Sequence, residues 1–97
     1  MNKDAAETML SEERRKAILE RVGGLLRQVD PEVLLHDALL DSTRQQLVFV
    51  MQKNELPLLV GMSYLDYASH RDEELRQLLK QGLAQRIEAA RRREAEE

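Results

Sequence analysis

Gln45–Ala68 reads QQLVFVMQKNELPLLVGMSYLDYA, and whether this stretch coils or extends decides the architecture of the chain. Fourteen of the 22 positions from Leu47 to Ala68 are apolar, and Phe49, Tyr64 and Tyr67 are all the aromatics there are. Such a density of apolar surface has to be buried, either by the flanking segments or by a partner. Two folds compete for it. Val48, Phe49 and Val50 in a row suit a strand, and QLVFVMQ, a KNE turn and LPLLVGM make a plausible hairpin. Against this, Ser42-Thr43-Arg44-Gln45 reads as a helix capping box, Lys53 and Asn54 stand as a helix end, and Pro57 cannot serve a central strand.

The caps and the proline favour helix. A helix is therefore expected over Thr43–Lys53, and a second from Asn54 or Glu55, with Pro57 in its first turn. Leu58, Leu59, Met62 and Leu65, with Tyr64 beside them, would face inward from this second helix, the central element of the fold.

Outward from this centre the signals are also helical. Asp30-Pro31-Glu32 reads as a cap, a first-turn proline and an acid at the positive helix end. It opens a short helix to about Leu40 that buries Val33 or Leu34, Ala38 and one of Leu39 and Leu40. Upstream, Ser11 caps a helix to about Gln28, with Ile18, Val22, Leu25 and Val29 at helical spacing and Leu19 and Leu26 alongside. Gly23 and Gly24 lie off this stripe and cost roughly 1–2 kcal/mol of helix stability; the pair marks a weak spot or a place where another backbone comes close.

Downstream, Ser69-His70-Arg71-Asp72 is another capping box, and Leu75, Leu79, Leu83, Ile87 and Ala90 form the stripe of a last helix that runs to the low nineties. Heptad positions would take in Gly82 and Gln85, which excludes a long zipper seam. The expected fold is thus all-α: residues 1–97 as a single domain, a small bundle of four to five helices with a long C-terminal amphipathic helix, and residues 1–10 and 91–97 frayed or projecting. The alternative is α+β with a hairpin at 46–62.

Composition narrows the function. Charged residues are 34% of the 97, aromatics 3%, with four glycines and two prolines, and the net charge is −3. Residues 30–69 sum to −4 and residues 70–97 to zero, from seven acids and seven bases, so no basic face offers itself to nucleic acid. The absence of cysteine fits a reducing compartment, and no run approaches the ~18 apolar residues of a membrane span. A cytoplasmic protein is expected.

Enzymatic chemistry finds little to work with. A Cys-His pair is impossible, a Ser-His-Asp arrangement would have to use His36 or His70, and no glycine-rich phosphate loop exists. Asp66, His70 and Glu74 stand four apart and would align as metal ligands on an unbroken helix, but a cap at Ser69 breaks it. No catalytic, cofactor-binding or metal-binding residue is therefore assigned, and no cofactor is expected.

What remains is binding. A DNA-binding helix-turn-helix over Thr43–Lys53 and the helix after it has suitable lengths, but its recognition helix would lack Arg and Lys altogether. The preferred expectation is a non-enzymatic interaction protein, of the kind bacteria and phages use as small regulators, adaptors, chaperones or inhibitors. It would bind another protein or itself as a homodimer, by burying helix faces, with Tyr64, Tyr67, Leu75, Leu79, Leu83 and Ile87 as anchors.

Overall fold

Ser11 does cap a helix: its hydroxyl accepts a hydrogen bond from the Arg14 amide at 3.2 Å, and Glu12 and Glu13 occupy the positive first turn of α1, Glu12–Val29. The computed structural model describes residues 11–96, so the expectations for residues 1–10 and for Glu97 lie outside the described residues. After α1 come three strands, β1 (Val33–Asp41), β2 (Gln46–Lys53) and β3 (Leu56–Ser63), then a short α2 (Tyr64–Ser69) and a long α3 (Asp72–Glu96).

The fold is therefore α+β, and the all-α bundle expected from the caps is overturned. The strands form one antiparallel sheet in the order β1-β2-β3. A hairpin occupies 46–63 with Asn54 and Glu55 as its turn, and a third strand stands where a helix to Leu40 was expected.

The physical reason is that the residues that cap helices also make turns. Asp30 accepts from the Glu32 amide at 3.1 Å, but this local turn leads into β1. Gln45 does reach back to Ser42, donating to its carbonyl at 2.7 Å, yet it does so in the β1–β2 turn, where Asp41 also accepts from the Arg44 amide at 3.3 Å. Asn54 has φ 56°, a left-handed conformation that serves a hairpin turn as well as a helix end. Pro57 is accommodated because β3 is an edge strand, not a central one.

In β1 the strand signal was hidden by a bulge. The pairing with β2 runs Leu35↔Met51 and then Asp37↔Val50, so His36 is an extra residue. The inward positions Val33, Leu35, Ala38 and Leu40 are thereby spaced two, three and two, which breaks the period of two that identifies a strand.

Both long helices cover the same sheet face. Ile18, Val22, Leu25 and Leu26 from α1 and Leu75, Leu79 and Leu83 from α3 close on Leu47, Phe49 and Met51 of β2 and Leu58, Val60 and Met62 of β3, all of them buried. Polar contacts fix the layers. Arg21 donates to Asp72 at 2.8 Å and to the carbonyls of Tyr67 and His70 at 3.1 and 3.0 Å, which joins α1 to the α2–α3 junction. Arg15 meets Asp37 of β1 at 2.7 Å, and Lys53 meets Asp30 at 2.7 Å.

Candidate functional site

Within β2 and β3, side chains alternate between the two faces of the sheet, and among the described residues only one face has helices on it. The opposite face is built in rows across the strands by the pairing register. Asp41, Gln46 and Ser63 form the first row; Leu39, Val48 and Gly61 the second; Asp37, Val50 and Leu59 the third; Leu34, Gln52 and Pro57 the fourth.

The middle of this face is apolar and uncovered. Leu34, Leu39 and Leu59 are 57%, 51% and 57% exposed, and Val48 and Val50 between them are half-buried. Three large side chains left in water on one sheet surface are unusual in a chain that is one-third charged. The formal charges in these rows are Asp37 and Asp41, both on edge strand β1, and each has an arginine beside it: Arg15 at 2.7 Å and Arg44 at 3.9 Å. At one end His36 Nε2 lies 2.9 Å from Gln52 Oε1, and Gln52 in turn donates to the Asn54 carbonyl at 2.6 Å, making a polar rim.

The ion pairs elsewhere hold the layers together. The Lys53 ammonium, hydrogen-bonded to Asp30, lowers the carboxyl pKa against an opposing effect of burial, and Arg15 does the same for Asp37. Among the described residues no polar side chain is buried and no group of three candidate ligands could hold a metal. Of the Asp66, His70 and Glu74 trio, His70 Nδ1 is 2.8 Å from the Asp66 carbonyl oxygen, and Glu74 accepts from the Arg71 amide at 3.2 Å as a helix cap. Ser69 does not cap α3; its hydroxyl donates to the Leu65 carbonyl at 2.7 Å as the last residue of α2.

The anchors expected from sequence divide into two groups. Leu75, Leu79 and Leu83 are buried in the chain's own core, with Ile87 partly buried against it. Tyr64 and Tyr67 pack partly buried on the same core, their ring centroids 6.3 Å apart, with the Arg21 guanidinium 5.0 Å from the Tyr67 ring. Exposed Leu65, at 72%, lies between them in sequence. The two segments expected to form a helix-turn-helix are β2 and β3, so that arrangement is absent.

Val48, Val50, Leu59, Leu34 and Leu39 were missed as a surface. One signal could have found them: LVFVM is apolar at every position, and a strand with no polar phase needs cover on both faces. Among the described residues, helices cover one.

Fold and face together define a two-layer α+β domain with an uncovered apolar sheet surface. No family model, no curated protein and no solved structure matches the chain.

Proposed function

We propose that this chain is a non-enzymatic protein-interaction module, in the manner of a small regulator, adaptor, chaperone or inhibitor, and that it docks through the open face of its sheet. The observation that carries the reading is the apolar centre of that face, Leu39, Val48, Val50 and Leu59, left exposed or half-buried while no buried side-chain nitrogen or oxygen among the described residues lacks a hydrogen-bond partner. The expected docking by helix faces moves to the sheet, since the leucine stripe of α3 is spent on the chain's own core. Absence of cysteine and of any helix, among the described residues, long and apolar enough to cross a membrane supports work in the cytoplasm.

The test is site-specific photocrosslinking in cells that make the protein. A benzophenone side chain at position 39 or 59 should form protein adducts, whereas the same group at exposed Arg27 on α1 or Arg91 on α3 should not. Equal labelling at all four positions, or none at 39 and 59, sinks the reading.

A further inference from the structure

The two edges of the sheet are not alike. A two-residue turn joins Lys53 to Leu56, so this pair exchanges backbone hydrogen bonds across the hairpin, as do Met51 with Leu58, Phe49 with Val60 and Leu47 with Met62. The next pair in this phase is bonded too, the Tyr64 amide donating to the Gln45 carbonyl at 2.9 Å. The backbone groups of Pro57, Leu59 and Gly61 therefore point away from the sheet. By the same alternation the amides of Val33 and Ala38 point out from the β1 edge.

The chain itself uses the donors on the β1 side. Val33 donates to the Asp30 carbonyl at 3.1 Å, and Ala38 to the Asp37 carboxylate at 2.8 Å, which Arg15 holds at 2.7 Å. The bulge at His36 interrupts that edge further. On β3, LPLLVGMS carries no charge, Leu59 and Gly61 are exposed, and neither of their amides meets an acceptor among the described residues. Pro57 lacks one donor near the end of this edge but keeps its carbonyl.

A row of outward donors and acceptors is matched by another extended backbone. Alongside β3 runs a cleft of about 310 Å³, with Pro57 and Leu59 on one side and Arg86, Ala89, Ala90 and Arg93 of α3 on the other. The two alanines leave room between the arginines. No described carboxylate pairs with Arg86, whose neighbours one turn away are Gly82, Leu83, Ala89 and Ala90; the ion pair in this part of α3 joins Arg92 to Glu88. We infer that β3 takes an extended segment of a different protein as a fourth strand, with an acidic side chain of that segment in the cleft beside Arg86. The inference rests on the interaction-module reading and names the form of the partner. Side chains of an added strand alternate, so those on one side enter the cleft and those on the other extend the apolar surface next to Leu59. A second copy joined edge to edge would bring LPLLVGMS, which has no acid to offer Arg86.

The experiment is selection of random twelve-residue peptides, displayed on phage, against the immobilised full chain. Fluorescence anisotropy then follows the selected peptide on wild type, Gly61→Pro and Arg86→Glu. Selected peptides should alternate apolar with polar residues and carry an acid, and each variant should weaken binding at least tenfold. Both variants should fold: the amide lost at position 61 serves no bond within the sheet, a side chain there meets only ordinary contacts at 3.9 and 4.0 Å, and Arg86 is exposed. Melting temperatures check this, and Arg86→Glu decides alone should Gly61→Pro unfold. Amide hydrogen exchange reads the edge directly. In the free chain Leu59 and Gly61 should exchange fast and Leu58 and Val60 slowly, and saturating peptide should slow Leu59 and Gly61 at least tenfold.

No enrichment of any peptide, binding that the folded variants leave unchanged, or new protection at Leu35 and Leu40 of β1 instead overturns the inference. So does a chain that binds itself through β3, seen as a mass that doubles with concentration and reverts in Gly61→Pro. In each case, adducts to a different protein at position 39 in the photocrosslinking experiment leave the interaction-module reading standing, and silence at 39 and 59 removes both.

Discussion

Gly23, Gly24 and Gly82 are all helical glycines, yet replacing them by alanine should move stability in different directions. In a helix interior the exchange is worth about 0.8–1.0 kcal/mol, because alanine loses less backbone entropy on folding. At Gly23 and Gly24 no atom outside the adjoining residues and the helix's own backbone lies within 4 Å of the added methyl group, so each substitution should gain the full amount. For a domain of this length 1 kcal/mol corresponds to a rise of about 4–8 °C in melting temperature. At Gly82 the methyl group would stand 3.0 Å from Val60 Cγ1, and Val60 is buried in the strand that α3 packs against. Overpacking of this kind costs about 1–3 kcal/mol, so Gly82→Ala should be neutral to destabilising by about 2 kcal/mol despite the same helical gain. Removing the obstruction should restore that gain: in a Val60→Ala background, Gly82→Ala should stabilise by about 1 kcal/mol. The assay is urea unfolding followed by circular dichroism. If Gly82→Ala stabilises as much as Gly23→Ala, and the cycle with Val60 shows no coupling, then α3 does not press on β3 at this point and the account of the layer packing is wrong.

Three further outcomes follow from the same geometry. Leu79→Ala opens a cavity at the centre of the core and should cost about 2–5 kcal/mol, whereas Leu65→Ala, at a mostly exposed site, should stay within about 0.5 kcal/mol in the same unfolding assay. Asp30 and Asp37 have carboxyl pKa values lowered in the folded state by Lys53 and Arg15, so their contribution is present above the unfolded-state value and is lost as pH falls through the folded-state values. Chemical denaturation from pH 6 down to pH 2 should show wild type losing more stability than Asp30→Asn, with the difference concentrated below about pH 4; parallel curves would refute it. Arg21→Ala removes three hydrogen bonds that tie α1 to the α2–α3 junction, together with a contact on the Tyr67 ring. It should cost about 1–2 kcal/mol and speed amide exchange in α2, and unchanged exchange there would show that the junction is held by other contacts.

How far the fold was legible depended on the distance over which each signal acts. The stripe of Ile18, Val22, Leu25 and Leu26 in α1 and that of Leu75, Leu79 and Leu83 in α3 are local patterns, and both are helices with those residues buried. The three strands were read as helices because Asp30, Ser42, Gln45 and Asn54 make hydrogen bonds or backbone conformations common to caps and turns. A bulge at His36 then removed the alternation that would have corrected β1. The anchors fared similarly. Leu75, Leu79 and Leu83 were recognisable as burial positions, but a stripe does not say whose surface it meets, and it meets the sheet of its own chain.

The sequence by itself determined where apolar surface is concentrated, which segments are periodic helices, and where the chain must turn, since each of these depends on residues within a few positions of one another. It determined as well that β2 is apolar on both phases. Only the tertiary structure decided that Gln46–Ser63 extends, because a strand gains its backbone hydrogen bonds from another segment, here β1 on one side of β2 and β3 on the other, and that gain is invisible to a local pattern. The tertiary structure likewise decided which apolar residues are left over. With α1 and α3 on the same side of a three-stranded sheet, Leu34, Leu39, Val48, Val50 and Leu59 have no helix over them among the described residues.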